Sequence, residues 1–229
     1  MNYATTMDRY TLIEENYLKA LFHLQDEKGE VGVNELSKAL DVKMPTVNSM
    51  VKKLAEKSLL HYETYKPVKL TDKGKRVAAS VIRKHRLTEM YLVERMGFPW
   101  DEVHEIAEQM EHIDSPKFFQ KMDELLGFPS FDPHGSPIPK EDGSIESPDG
   151  KPLSHAAFNQ QFKVVALLDS SEEYLKYLDK LGIQLGTTIK ILDQESFDQS
   201  YSVRLNKTKV TTLSLKAAES MLVIALSSK

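Results

Sequence analysis

Hydrophobic positions recur at helical spacing through the first half of the chain and alternate with polar ones through its last third. Residues 8–27, DRYTLIEENYLKALFHLQDE, set Leu12, Ile13, Tyr17, Leu21 and Leu24 on one stripe, which predicts an amphipathic helix. Gly29 and Gly32 break the period. Asn34 is placed to cap a short helix, ELSKALD, whose apolar positions are Leu36, Ala39 and Leu40. After Asp41 and Val42, MPTVNSMVKKLAEKSLL resumes the period through Val47, Met50, Val51 and Leu54, with Pro45 at a first-turn position. Two short helices joined by a tight turn read as helix-turn-helix. LLHYETYKPVKLTDKGK follows, strand-like on both sides of Lys66-Pro67, and reads as a two-stranded wing.

From Lys73 a long helical period runs to Met96, where Gly97-Phe98-Pro99 stops it. Trp100-Asp101 opens a further helix to about Ile113. Asp114-Ser115-Pro116 ends that helix and starts another, SPKFFQKMDELLG, with Gly127 at its exit. Residues 128–154 are rich in Pro, Gly, Ser and Asp and predict a linker. From about Ala156 the period changes: FKVVALL, TTIKILDQ, SYSVRL, VTTLS and MLVIAL read as strands and SSEEYLKYLDKLG as one short helix, which suggests a compact β-barrel. The expected fold is mainly α with a small β part. Its expected divisions are 1–74, a winged helix-turn-helix; 75–135, a helical domain; 136–155, a linker; and 156–229, the barrel.

Charge sharpens this picture. Residues 1–95 hold 17 Lys and Arg against 13 Asp and Glu, whereas the remainder holds 13 against 21. A basic front half suits phosphate contact and an acidic back half suits cations or solubility. Outward positions of the second helix of the helix-turn-helix, Pro45, Thr46, Asn48, Ser49, Lys52 and Lys53, offer groups for base edges and phosphates, and Lys66 offers the same from the wing. The chain has no cysteine, which excludes disulfides, thiolate metal sites and cysteine nucleophiles. No apolar run is long enough to span a bilayer and no secretory signal is read, so a cytoplasmic location is expected.

The candidate chemistry lies in HEIAEQMEH, His104 to His112. His104, Glu108, Glu111 and His112 sit at i, i+4, i+7 and i+8, within roughly a 100° arc of one helix face. Two imidazoles and two carboxylates on one face suit a divalent transition metal. The bland alternative is a solvated acidic face with incidental histidines. His85 and Glu89 form another i, i+4 ligand-type pair upstream. Asp132 and His134 read as loop polar groups with, at most, a supporting role at a metal site. Asp169 and Glu172 open the short helix of the barrel, where the helix dipole alone explains carboxylates. HExxH, a P-loop and a dinucleotide fingerprint are absent, and no catalytic residue is assigned. A metal-dependent hydrolase and a winged-helix regulator gated by a small molecule are the alternatives to metal control of DNA binding.

The segments RKHRLTE (Arg83–Glu89), HEIAEQMEH, FDPHGSPIP (Phe131–Pro139) and the small C-terminal barrel together resemble the diphtheria-toxin-repressor family of metal-dependent transcriptional repressors, including its manganese-sensing branch. The resemblance covers nearly the whole chain. It implies a homodimer on operator DNA, repression of metal-uptake genes, a helical dimerisation and metal-binding domain, and an SH3-like (FeoA-like) C-terminal domain. It also implies two metal sites per subunit: one of Asn16, Glu108, Glu111 and His112, the other of His85, Glu89 and His104 with Asp169 or Glu172 as added carboxylate. Asn16 stands where family members more often carry Met or Asp. Glu108 replaces the Cys of iron-type members, which favours Mn(II), with Fe(II) as the alternative. Lys19 occupies the place of a further Glu in one manganese subtype, which argues against a binuclear site of that kind.

Overall fold

The computed structural model describes residues 10–25, 29–146 and 148–226. They form two compact units: one runs through His85 and includes 110–114 and 139–145, and the other comprises 86–109, 115–138 and the chain from 146 onward. In the first unit, α1 (Leu12–Leu24) is opened by a capping box. Thr11 Oγ1 accepts from the Glu14 amide and Glu14 Oε2 accepts from the Thr11 amide at 3.0 Å. The expected extensions of α1 to residues 8, 26 and 27 lie outside the described residues. Helix α2 (Val33–Ala39) starts before Asn34. The Gly32 amide donates to the Glu35 carboxylate at 2.9 Å, so the cap forms at Gly32 and Asn34 falls inside the helix. Ser37 Oγ donates to Val42 O at 2.6 Å and closes the turn into α3 (Met44–Glu56), with Pro45 in the first turn. The wing is brief: β1 (Leu60–His61) pairs antiparallel with β2 (Lys69–Leu70), and Val31 bridges Val68. Leu18, Leu21, Leu36, Val47, Val51, Leu54 and Val68 close the core under these elements.

Helix α4 (Asp72–Met96) leaves the wing directly. Gly74 is required there, since a Cβ at that position would lie 2.1 Å from the Leu59 carbonyl oxygen. The unit division falls within α4, between His85 and Arg86. Helix α5 spans only His104–Met110, shorter at both ends than the hydrophobic pattern suggests. The Glu102 amide bonds Pro99 O and the Ile113 amide bonds Met110 O, so tight turns precede and follow the helix. Glu111 and His112 therefore sit in a turn beyond α5, not on its face. Helix α6 (Pro116–Leu126) ends at Gly127, whose φ of 74° supplies a left-handed C-cap.

In the second unit, β3 (Lys151–Pro152), β4 (Gln161–Leu167), β5 (Thr188–Gln194), β6 (Tyr201–Leu205), β7 (Lys209–Leu213) and β8 (Met221–Ala225) form one antiparallel sheet of order β3-β8-β4-β5-β6-β7. Helices α7 (Glu172–Leu181) and α8 (Leu215–Glu219) accompany it. Phe162, Val164, Ile189, Ile191, Val203 and Leu213 alternate inward and pack with Leu175 and Leu178 of α7. Much of the expected linker is ordered, because it has apolar side chains to bury: Ile138 is 5% exposed and Leu153 is fully buried. The 130–138 loop docks on β4. The Leu167 amide donates to His134 O at 2.9 Å, and a Cβ on Gly135 (φ 84°) would lie 2.5 Å from Val165 O.

Candidate metal centre

Two clusters of ligand-type side chains emerge, one in each unit. The first is built around Glu111, whose side chain is fully buried. His85 Nδ1 lies 2.6 Å from Glu111 Oε2, Lys19 Nζ donates to Glu111 Oε1 at 2.7 Å, and His112 Nε2 lies 3.4 Å from the same oxygen. Burial alone would raise the Glu111 pKa, but the His85 hydrogen bond and the Lys19 ammonium hold it below the usual carboxylate range. Helix α1 supplies the opposite wall. Glu15 Oε2 lies 2.6 Å from His112 Nδ1, and Lys84 Nζ donates to the Glu111 carbonyl at 3.0 Å. Next to Glu15, the side-chain oxygen of Asn16 is buried with no hydrogen-bond partner.

The second cluster is built around Glu89, 2% exposed, on α4. His104 Nδ1 lies 3.2 Å from Glu89 Oε1, and His104 Nε2 lies 3.6 Å from Glu108 Oε1 on the next turn of α5. From the 130–138 loop, His134 Nδ1 lies 3.7 Å from Glu89 Oε2. Ligand atoms of Glu89, Asp132 and His134 all fall within 4.8 Å of one another, and all three residues are buried. The loop is shaped for this. Asp132 Oδ1 accepts from the amides of His134 and Ser136, and His134 Nε2 bonds the Trp100 carbonyl at 2.9 Å while its ring stacks on the indole. Burial and the Glu89 charge push the Asp132 pKa up. Burial would lower the His134 pKa, but Glu89 and Asp132 together drive it up. Three buried acid–base groups in contact, with the proton affinities of Asp132 and His134 pushed up, are the electrostatics of a place suited to a cation.

The structure keeps the expected His104 with Glu89 and adds Asp132 and His134 to Glu89. Glu108 stands beside His104, and His85 bonds Glu111. Asp169 Oδ1 accepts from the Ser171 amide and Glu172 pairs with Lys176, so neither carboxylate is gathered with Glu89, Asp132 and His134. Glu15 was not singled out by the sequence, although its acidic side chain one turn before Lys19 on α1 carries a usable signal. His134 was visible only as a loop histidine; its partners lie far away in the chain. On the DNA side, Pro45, Thr46, Ser49 and Lys52 of α3 are exposed and Asn48 is half-buried. Lys53 turns back to Glu14, and Lys66 pairs with Glu63 in the wing.

A profile described as the iron dependent repressor N-terminal DNA binding domain matches residues 11–68, one described as the iron dependent repressor metal binding and dimerisation domain matches 71–140, and a FeoA domain matches 151–225. A solved structure titled a manganese-dependent transcriptional repressor complex with manganese is 33% identical, with a TM-score of 0.85 over 93% of this chain and 100% of that one. The chain belongs to the diphtheria-toxin-repressor family of metal-dependent transcriptional repressors. Among curated family members, the iron-dependent repressor IdeR of Mycobacterium tuberculosis (strain CDC 1551 / Oshkosh) is 35% identical over 125 residues, 55% of this chain and 54% of that protein. The chain thus spans about half the length of the IdeR relatives it matches. The diphtheria toxin repressor of Corynebacterium efficiens is 28% identical over 79% of this chain and 83% of its own. A structure of the family member ScaR with bound zinc ion is 30% identical at a TM-score of 0.76, covering 93% of this chain and 99% of that one.

Proposed function

We propose that this family member is a Mn(II)-activated repressor of metal-uptake genes, acting in the cytoplasm as a homodimer on a two-half-site operator, with Fe(II) as the second candidate metal. The observation that carries the reading is the donor set. Both clusters are carboxylate and imidazole, without sulfur, and on α1, next in sequence to Glu15, the Asn16 oxygen is buried without a hydrogen-bond partner. Hard oxygen donors favour Mn(II) over softer competitors. Asn16, Glu111 and His112 would hold the first ion, with Glu15 and His85 beside them. Glu89, His104, Asp132 and His134 would hold the second, with Glu108 beside His104. Asp169 and Glu172 remain candidates to add a carboxylate to the second set. The metal, when bound, supplies a divalent charge that neutralises facing carboxylates. Lys19 already places an ammonium on Glu111 Oε1, so the first set suits one cation rather than two.

The chain's own residues then relay the change. Glu15 and Asn16 ride on α1, which packs against the helix-turn-helix. Fixing α1 fixes the presentation of Thr46, Asn48, Ser49 and Lys52, and two copies held at one spacing fit successive major-groove half-sites. Metal shifts this equilibrium only by binding the DNA-competent state more tightly.

Fluorescence anisotropy on fragments from upstream of metal-transporter genes, at fixed salt, tests the reading. Saturable, sequence-selective binding should appear with Mn(II) or anaerobic Fe(II) and vanish with chelator. Glu111→Gln should abolish the metal response while the fold persists; binding that is equally tight with and without metal removes metal gating.

A further inference from the structure

Like charges face one another on the outer surface of the C-terminal sheet. The ladder pairs Gln161 with Lys190 and Lys190 with Arg204, so these three side chains form one cross-strand row over β4, β5 and β6. Their inward neighbours Phe162, Ile189, Val203 and Leu205 are buried, which places the row on the solvent face. Side chains directly opposite in such a ladder have Cβ atoms about 5 Å apart, and like charges there are destabilising. Lys163 lies on the same face, two residues along from Gln161. Lys207 joins from the β6–β7 turn, where Asn206 and Lys207 both take positive φ.

The row lines a concavity of ≈ 280 Å³ bounded by Gln161, Thr188, Ile189, Lys190, Arg204 and Lys207. No carboxylate lines it. Most of the domain's acidic residues lie elsewhere, on α7 (Glu172, Glu173, Asp179) and just before it (Asp169), on α8 (Glu219) and in the β5–β6 connection (Glu195, Asp198), with Asp193 near the end of β5. Among the described residues the side chains of Lys190, Arg204 and Lys207 carry no ion pair or hydrogen bond, whereas Lys176 of α7 pairs with Glu172.

We propose that this concavity is an anion site that takes a phosphate-bearing small molecule. Three cations around one hollow match a group carrying two or more negative charges. The planar guanidinium of Arg204 suits two phosphate oxygens at once, Lys190 and Lys207 act as point charges, and the Gln161 amide adds a neutral donor. A duplex backbone would instead be met by cations spaced along a strip, while these converge on one half-open hollow of small-ligand size. The repulsion between Lys190 and Arg204, uncompensated in the free protein, is relieved when the anion sits between them. The site shares no residue with either metal cluster and does not depend on them.

The test uses the full chain, metal-free in chelator, so that the probe cannot act by sequestering metal. Inorganic pyrophosphate is titrated at low salt by calorimetry and by amide NMR, alongside citrate and a non-operator DNA duplex. Saturable pyrophosphate binding is expected, with shifts confined to residues around 161, 188–190 and 204–207, weakened at least about tenfold in the Lys190→Gln, Arg204→Gln variant; about tenfold corresponds to 1.4 kcal/mol. Arg204→Gln alone should raise the thermal midpoint in anion-free buffer, because it removes a like-charge pair, and should lose the stabilisation that pyrophosphate gives the parent chain. Equal binding by variant and parent, no binding at millimolar pyrophosphate, or tighter binding of citrate overturns the proposal. Shifts of the same residues by the duplex but not by pyrophosphate overturn it in favour of nucleic acid.

Discussion

The side-chain oxygen of Asn16 is buried without a hydrogen-bond partner, and a buried polar atom left unpaired costs about 1–3 kcal/mol. A cation held beside it, as proposed, would recover that cost. Asn16→Asp separates the two states. In chelator, denaturant melts should show a loss of about 1–3 kcal/mol from the added uncompensated charge, while competition with a metal-binding dye should show tighter Mn(II) binding. Unchanged affinity would remove Asn16 from the ligand set. The second cluster carries a pH signature. Asp132 and His134 both hold protons more tightly than usual, so a metal must displace protons from groups already biased to keep them. Mn(II) affinity at this set should therefore decline on acidification from above the ordinary imidazole range downward, which isotherms at successive pH values would record as a falling stoichiometry. His134→Phe should remove that pH-dependent component; if it persists, the protons come from elsewhere.

One helix, α1, holds both α3 and the turn at His112. Glu14, fully buried, accepts from Lys57 at 2.7 Å and pairs with Lys53 at 3.1 Å on α3, and the next residue, Glu15, meets His112. Burial would raise the Glu14 pKa, but the two lysines and the Thr11 amide bring it down to about 2 from an ordinary 4.5. A lowered carboxylate pKa stabilises the fold at pH values above the ordinary one, and that contribution is lost as pH falls from 4.5 towards about 2. With the half-exposed lysines screening the pair, Glu14→Gln should cost about 1–2 kcal/mol at neutral pH. The difference from the parent chain should shrink on acidification and vanish only towards pH 2, which denaturation at pH 7, pH 3 and pH 2 would show. Elements of this kind were legible from the hydrophobic period at Leu12–Leu24, and from the period with Pro45 in the first turn at Met44–Glu56. They were misread where propensity outran geometry: Glu111 and His112 are good continuations of α5 by residue type, yet the chain turns at Met110 because Pro116 and its preceding turn claim the backbone. The two-residue strand β3 contains Pro152, and α8 is five residues long, so neither has a period to detect.

At the scale of the molecule, the architecture was readable because the helical period of the first parts gives way to the strand period of the last, and part of the ligand grouping was readable too, as with Glu89 and His104, whereas the contacts made by Glu15 and His134 were not. Glu15 and His112 lie 97 positions apart, and Glu89 meets His134 through a loop whose shape depends on Gly135 closing on β4. Such contacts leave no local pattern. They do define a whole-molecule test. If α1 joins the first metal cluster to α3, metal and operator bind as linked ligands, and the factor by which Mn(II) tightens DNA binding must equal the factor by which DNA tightens Mn(II) binding, typically about 5–150-fold. Both legs are measurable at one salt concentration: operator affinity with and without metal, and metal affinity with and without operator. Glu14→Gln touches neither ligand. It should leave Mn(II) affinity of the free protein close to the parent's while lowering both factors together, because α3 is then no longer held to the helix that carries Glu15 and Asn16. Factors of one in both directions would sink metal gating. Full coupling in Glu14→Gln would leave gating intact and move its route away from α1.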